Sequence, residues 1–216
     1  YHGLNRDDMK PTTRWAIVLL LVVIAAGCAQ PIPVEVPSTS ETQTLAVDWD
    51  SREVFRANLT PAEQAVLDDL PGASVYHIQV RLADDLGSLE GSQQLRYTNR
   101  EDKALDEIHF QLFPNMAGGK TEVNGAKVDG TEAQMRLLDG GTAAAVSLPK
   151  PVEPGGAVVI ELYFKVTIPN EIGGNYGLFG YFNDILVLDG FYPAIPAYDQ
   201  RGWNSGALPP NSDSTY

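Results

Sequence analysis

From residue 75 to residue 168 the apolar side chains recur at every second position. That is the period of a β-strand with one buried face. Tyr76, Ile78, Val80 and Leu82 alternate with His77, Gln79 and Arg81. Leu95 and Tyr97 share one face of residues 91–98, and Ile108, Phe110 and Leu112 alternate with His109 and Gln111 until Pro114 stops the strand. The strongest stretch is Ala157–Ile168, where Val158, Ile160, Leu162, Phe164 and Val166 point one way and Glu161, Tyr163, Lys165 and Thr167 the other. Turn residues separate the stretches: Asp84-Asp85-Leu86-Gly87, Pro154-Gly155-Gly156, and Asp139-Gly140-Gly141 between Met135–Leu138 and Ala143–Leu148. A weaker strand candidate, Lys120–Val128, carries Asn124-Gly125 as a hairpin turn. No helix-period segment lies between these strands, which excludes a crossover α/β fold. Alternation with one polar face suits antiparallel sheets. The expectation is an all-β antiparallel β-sandwich, or a large curved sheet, over residues 73–216.

The N-terminal part obeys different rules. Lys10 and Arg14 precede an apolar run, Trp15–Ala25, and small residues then lead to Cys28. This is the layout of a secretory signal peptide, and the run is short for a spanning helix, which needs about 20 residues. Ala25-Ala26-Gly27-Cys28 resembles the bacterial lipobox, in which the cysteine is lipidated and becomes the mature N-terminus. Cys28 is the only cysteine, so it has no disulfide partner within the chain. The alternative is an ordinary signal peptide or an uncleaved anchor with an incidental cysteine. The expected organisation is therefore 1–8 upstream residues, 9–28 lipoprotein signal peptide, 29–44 flexible proline- and hydroxyl-rich linker, and 45–72 a short helical segment. Within the last, residues 60–70 read as one helix: Thr60 as N-cap, Pro61 in the first turn, Glu63 completing a capping box, and Pro71-Gly72 as the stop. A lipidated Cys28 implies an extracytoplasmic protein held at a bacterial membrane.

The formal net charge is −13. Residues 1–28 carry +1, from Arg6, Lys10 and Arg14 against Asp7 and Asp8, so the remainder carries −14. Such a surface repels phosphate backbones and excludes nucleic acid as a partner. Residues 170–216 are rich in glycine, asparagine, proline and aromatics: Tyr176, Phe179, Tyr181, Phe182, Phe191, Tyr192, Tyr198 and Trp203. Aromatics on such loops line a binding surface or close one end of a sandwich. Three histidines are present; His2 precedes the signal peptide, and His77 and His109 fall on the polar phase of their strands, as solvated surface residues do. There is no H-E-x-x-H, no cysteine cluster and no G-x-S-x-G. Asp68-Asp69 and Asp84-Asp85 sit at a helix end and a turn, as solvated pairs. The sequence shows no catalytic residue and no metal ligand.

Several stretches, in order, resemble the N-terminal domain of the aminopeptidase N-like zinc metallopeptidases, the family of membrane alanyl aminopeptidase and leukotriene-A hydrolase. Tyr76-His-Ile-Gln-Val-Arg-Leu82 and Leu89–Tyr97 resemble its opening strand pair. Leu105-Asp-Glu-Ile-His-Phe-Gln-Leu-Phe-Pro-Asn115 resembles the L-x-x-I-x-x-x-L-x-P-N strand, and Val123-Asn-Gly-Ala-Lys-Val128 the V-x-V-N-G hairpin. Leu148-Pro-Lys-Pro-Val-Glu-Pro-Gly155 with Val158–Val166 resembles L-P-x-P-L-x-P-G and its long strand. Gly190-Phe-Tyr-Pro193, Ala197-Tyr-Asp199 and Gly202-Trp203 resemble the W/F-Y-P-x-x-x-x-Y-D segment of bacterial members. The resemblance implies a saddle-shaped β-sandwich ahead of a thermolysin-like catalytic domain. In the family that following domain holds zinc through H-E-x-x-H and a downstream glutamate, and the peptide backbone through G-A-M-E-N. None of these is in the chain, so on this resemblance it is a piece lacking the catalytic domain, and it binds peptide substrate only through that missing part. Family members also lend a Q-x-E acid or amide to the substrate amine. Leu186-Val-Leu-Asp189 stands at that place, with Asp189 at the acidic position and no glutamine. Asp189 is thus either a substrate-binding residue or a strand-end turn residue before Gly190. A second functional reading is a non-catalytic surface lipoprotein whose β-sandwich binds protein or carbohydrate through the aromatic stretch 176–203.

Overall fold

The computed structural model describes residues 48–70, 72–172 and 177–206. The chain divides into two compact units, Tyr1–Leu45 and Ala46–Tyr216. The described residues belong to the second, so the signal peptide, Cys28 and the linker lie outside them. Among the described residues no helix is long and apolar enough to cross a membrane.

Among the described residues twelve strands form: β1 (Val75–Leu82), β2 (Ser88–Thr98), β3 (Leu105–Gln111), β4 (Lys120–Val128), β5 (Thr131–Glu132), β6 (Met135–Leu138), β7 (Ala143–Val152), β8 (Ala157–Thr167), β9 (Phe179–Phe182), β10 (Ile185–Leu188), β11 (Tyr198–Asp199) and β12 (Gly202–Trp203). A five-stranded sheet has the order β1-β2-β8-β4-β5 and a three-stranded sheet the order β3-β7-β6. The pairs β9–β10 and β11–β12 are separate hairpins. Every pairing is antiparallel. The fold is the expected all-β antiparallel sandwich.

β8 is the central strand. It pairs with β2 from Ser88↔Thr167 to Thr98↔Ala157 on one side and with β4 on the other. Its five alternating apolar residues are all buried. One core cluster fills the space between the sheets, with Leu95, Tyr97, Ala126, Val128, Ile160 and Leu162 from the large sheet and Ile108, Phe110 and Val146 from the small one. The second cluster contains Leu89, Phe164, Val166, Ile168 and Phe179. Phe113 and the β9–β10 side chains Tyr181, Leu186 and Leu188 pack against it.

Three local features differ from the sequence expectation. Asn124-Gly125 is not a hairpin turn: β4 continues through it, with Val123 paired to Phe164 and Gly125 to Tyr163, so Asn124 is the extra residue of a bulge. The turn is at Asp129-Gly130, both at positive φ (48° and 79°), and Asp129 is fixed there because its Oδ1 accepts the Val159 N–H at 2.9 Å. The helix over 60–70 with a capping box does not form. Glu63 is the cap of a 3-10 stretch, Gln64–Asp69, with no side-chain capping bond, and a four-residue α-helix, α1 (Glu53–Arg56), precedes it. Such short pieces are not stable alone; Arg56 ties them together by bonding Asp68 Oδ1 at 3.1 Å and the Gln64 carbonyl at 3.3 Å. Val66 and Leu70 remain exposed, so the apolar stripe is not a packed face. Lastly, Phe179–Phe182, in the stretch read as loop, is a strand, paired with Ile185–Leu188 through a turn in which Asn183 and Asp184 both have positive φ.

Asn99 closes the end of the large sheet from a fully buried position. Its backbone exchanges bonds with Gly155 and Gly156. Its Nδ2 donates to the carbonyls of Val152 (2.7 Å) and Lys103 (2.8 Å), and its Oδ1 accepts from the Glu101 N–H.

Candidate functional site

The stretch from Asp189 to Ser205 positions the side chains that the sequence singles out. Asp189 lies in the turn after β10, exposed, with its N–H donating to the Leu178 carbonyl at 3.1 Å. Gly190 follows at φ 56°, and a Cβ there would lie 2.8 Å from Phe113 Cβ, so the chain can pass only as glycine. Beyond it, residues 193–195 close the gap between the two sheets. Gln93, on the inward face of β2, donates from Nε2 to the Pro193 carbonyl at 2.9 Å. Ala194 exchanges two backbone bonds with Gln111 at the free edge of β3. The Ile195 N–H donates to Tyr76 Oη at 2.9 Å. Burial of Tyr76 outweighs that bond and pushes its pKa up to about 12.

The β11–β12 hairpin then delivers Trp203 to the side of β3. Its ring stacks on His109 at 5.6 Å, meets Tyr198 edge-on at 4.9 Å and lies 5.9 Å from Tyr97. Burial also pushes the Tyr97 hydroxyl up to about 12. Under Trp203, His109 Nδ1 is 3.2 Å from Ser205 Oγ and Nε2 is 2.6 Å from Glu107 Oε1. The other oxygen of Glu107 accepts from Arg136 Nη2 at 2.6 Å. His109 and Arg136 both pair with Ala145 on β7, from opposite sides. The small alanine leaves room for the Glu107 carboxylate to reach across to β6. Burial pushes the Glu107 pKa up, but the bonds from His109 and Arg136 outweigh it and hold the carboxyl below its ordinary value.

His109 is therefore not a solvated surface residue; only 12 % of its side chain is exposed. His77 is not free either, because its ring meets Trp49 edge-on at 5.0 Å. In both cases a segment far away in sequence covers the polar face, and strand period alone carries no sign of it.

Ser205, His109 and Glu107 form a hydroxyl–imidazole–carboxylate chain, yet the arrangement is a clamp. Ser205 is 5 % exposed, and both carboxylate oxygens are engaged. A nucleophile needs access to a carbonyl carbon. The same cluster does not fit zinc, since a guanidinium shares the only carboxylate. Among the described residues no group of three His, Cys, Asp or Glu side chains could hold a metal ion. The aromatics of 179–203 are largely structural. Phe179 is fully buried, Tyr181, Phe191 and Tyr192 pack on the second cluster, and Tyr198 and Trp203 pack on the first. Tyr176 lies outside the described residues.

No protein-family model matches the chain, and no curated protein matches it. Solved structures do. An M1 zinc metallopeptidase from Deinococcus radiodurans bound to a Tyr-Ser-Ala substrate is 20 % identical over 44 % of this chain and 20 % of its own, with TM-score 0.37. A second structure from the same organism is 21 % identical over 55 % of this chain and 27 % of its own, at 0.38. A two-domain M1 zinc metallopeptidase bound to L-tryptophan is 19 % identical over 55 % and 28 %, at 0.40. The matched part spans only between a fifth and just over a quarter of those chains.

Proposed function

We propose that this chain comprises the leader, tether and N-terminal β-domain of a lipid-anchored, extracytoplasmic zinc metallopeptidase of the aminopeptidase N-like kind. It performs no catalytic step itself. The observation that carries this reading is the ordered set of motif blocks from Tyr76 to Trp203. The opening pair corresponds to the fully registered β1–β2 pair. The L-P-x-P-L-x-P-G block runs from β7 into β8. The Gly190–Trp203 block is the segment that seals the sheets together.

In this proposal zinc and the hydrolytic machinery belong to a following domain, the peptide substrate is met there, and the β-domain shapes the approach to it. Asp189, exposed at the end of β10, is the residue offered to the substrate amine. Cys28 carries the lipid that holds the protein at the membrane, and no nucleic-acid partner is proposed. Tyr198 and Trp203 pack, partly buried, against the first core cluster, which favours a role in closing the sandwich over one in binding sugar.

The test is the in-frame sequence after Tyr216. An H-E-x-x-H with a glutamate on the next helix is the expected result; a nearby stop codon overturns the peptidase reading. Cys28→Ser should abolish radiolabelled-palmitate incorporation and release the protein from the membrane fraction. Retained labelling would refute the anchor.

A further inference from the structure

The segment ahead of β1 is attached to the sandwich at one place. None of residues 48–68 is buried, and none of their side chains belongs to either core cluster or packs against it. α1 and the 3-10 stretch Gln64–Asp69 hold each other instead. Arg56 bonds Asp68 and the Gln64 carbonyl, and Gln64 Nε2 returns a bond to the Arg56 carbonyl at 3.3 Å. The two pieces form a small lobe with its own internal ties. Among the described residues, every hydrogen bond, ion pair and ring contact that joins residues 48–70 to the strands involves Arg96 or His77.

Arg96 lies on the outer phase of β2, and its backbone pairs with Val75, the residue that opens β1. Its side chain reaches the other end of the excursion. Nη1 bonds Asp50 Oδ1 at 2.7 Å, Nη2 donates to the Trp49 carbonyl at 2.9 Å, and the guanidinium lies 5.9 Å from the Trp49 ring. That ring meets His77 of β1 edge-on. The strap itself is shaped locally: Asp48 Oδ1 accepts the N–H groups of Asp50 (3.1 Å) and Ser51 (3.2 Å), and Arg52 Nη1 gives the Trp49 carbonyl a second donor at 3.0 Å. One residue, Arg96, thus closes both ends of the excursion 51–74.

A guanidinium shared by a carboxylate and a carbonyl is a strong local grip. Asp50 is 86 % exposed, however, so water and salt screen its share. A segment with few buried contacts and one point of attachment opens at a lower free energy than the fold that carries it. We propose that Arg96 and Trp49 form a latch, and that the lobe swings off the sandwich as a unit when the latch opens, leaving the strands paired. Opening hands residues 51–74 to the chain upstream and adds up to roughly 80 Å to its reach. The effect on the distance between β-domain and lipid anchor rests on the function proposed above; the latch rests on the geometry of Arg96 alone.

The test is hydrogen–deuterium exchange of the full chain, followed by mass spectrometry. Peptides covering 53–70 should exchange faster than those covering β2 and β8. Arg96→Met keeps the stem and removes the donors; it should speed exchange over 53–70 by about tenfold and leave the β8 peptides unchanged. Trp49→Ala, which alters only the strap side, is the second variant should Arg96→Met disturb β2, and it should act in the same direction. Exchange over 53–70 as slow as in β8, no acceleration in either variant, or equal acceleration of lobe and strands in both overturns the proposal. Failure of the anchor shows separately, as palmitate labelling that survives Cys28→Ser, and removes only the effect on reach.

Discussion

Gly91 offers the sharpest test of the packing. It lies on the inward phase of β2, directly opposite Phe164 of β8. A Cβ at Gly91 would stand 2.4 Å from Phe164 Cζ and 2.7 Å from Cε2. Carbon atoms prefer about 3.5–4.0 Å, so the ring must retreat by roughly 1 Å or more. It has nowhere easy to go, being 2 % exposed in the cluster that holds Leu89, Val166, Ile168 and Phe179. Overpacking of this kind costs about 1–3 kcal/mol, and removing a mid-strand glycine returns roughly 0.5–1 kcal/mol. Gly91→Ala should therefore destabilise by about 1–2 kcal/mol. Phe164→Leu should also destabilise, through the space left over Gly91. In that background the added methyl occupies vacated volume, so the double variant should be more stable than the sum by about 1 kcal/mol or more. Urea unfolding of Ala46–Tyr216, the compact unit, measures all four proteins. Gly91→Ala that is neutral or stabilising, or additivity within about 0.5 kcal/mol, would refute the argument.

Other consequences follow from buried polar groups. Asn99→Ala leaves the Val152 and Lys103 carbonyls and the Glu101 N–H without their partner, and should cost about 2–4 kcal/mol in the same urea assay. Tyr76 has its pKa raised to about 12 against 10 in the unfolded chain. Its contribution, of order 2–3 kcal/mol, is fully present below pH 10 and is lost as pH rises through 12; Tyr76→Phe should flatten that alkaline limb in pH-dependent thermal melts. The Glu107 carboxyl is held low, so its contribution is present above the ordinary glutamate range and is lost as pH falls through the lowered value. Glu107→Gln should shrink the acid limb of the stability profile, and an unchanged limb would show that the His109–Glu107–Arg136 bridge does not form.

Strand positions were legible wherever both neighbours of a strand support its alternation. β8 is the best case, because β2 and β4 fix it from two sides and its period of two has no competitor. Asn124-Gly125 shows where local chemistry is insufficient. Asn-Gly and Asp-Gly both suit a tight turn, and the sequence offers one at 124–125 and another at 129–130. The choice belongs to β8: continued pairing of Gly125 with Tyr163, Ala126 with Leu162 and Val128 with Ile160 buries Ala126 and Val128, whereas a turn at 124 would forfeit that burial. The capping box at Thr60 fails for the opposite reason, since no partner surface rewards a helix there and the segment is too short to hold itself. His109 was legible as a polar-phase residue but not as a clamp, because Trp203 and Ser205 arrive from about a hundred residues later and nothing in β3 announces them. Asp189 belongs to the same class. Its motif position suggests a task, and its place in the fold, exposed in the turn after β10, becomes informative only when β9 is paired with β10. The glycine within Phe179-Gly-Tyr-Phe182 hides that pairing from any pattern of alternation.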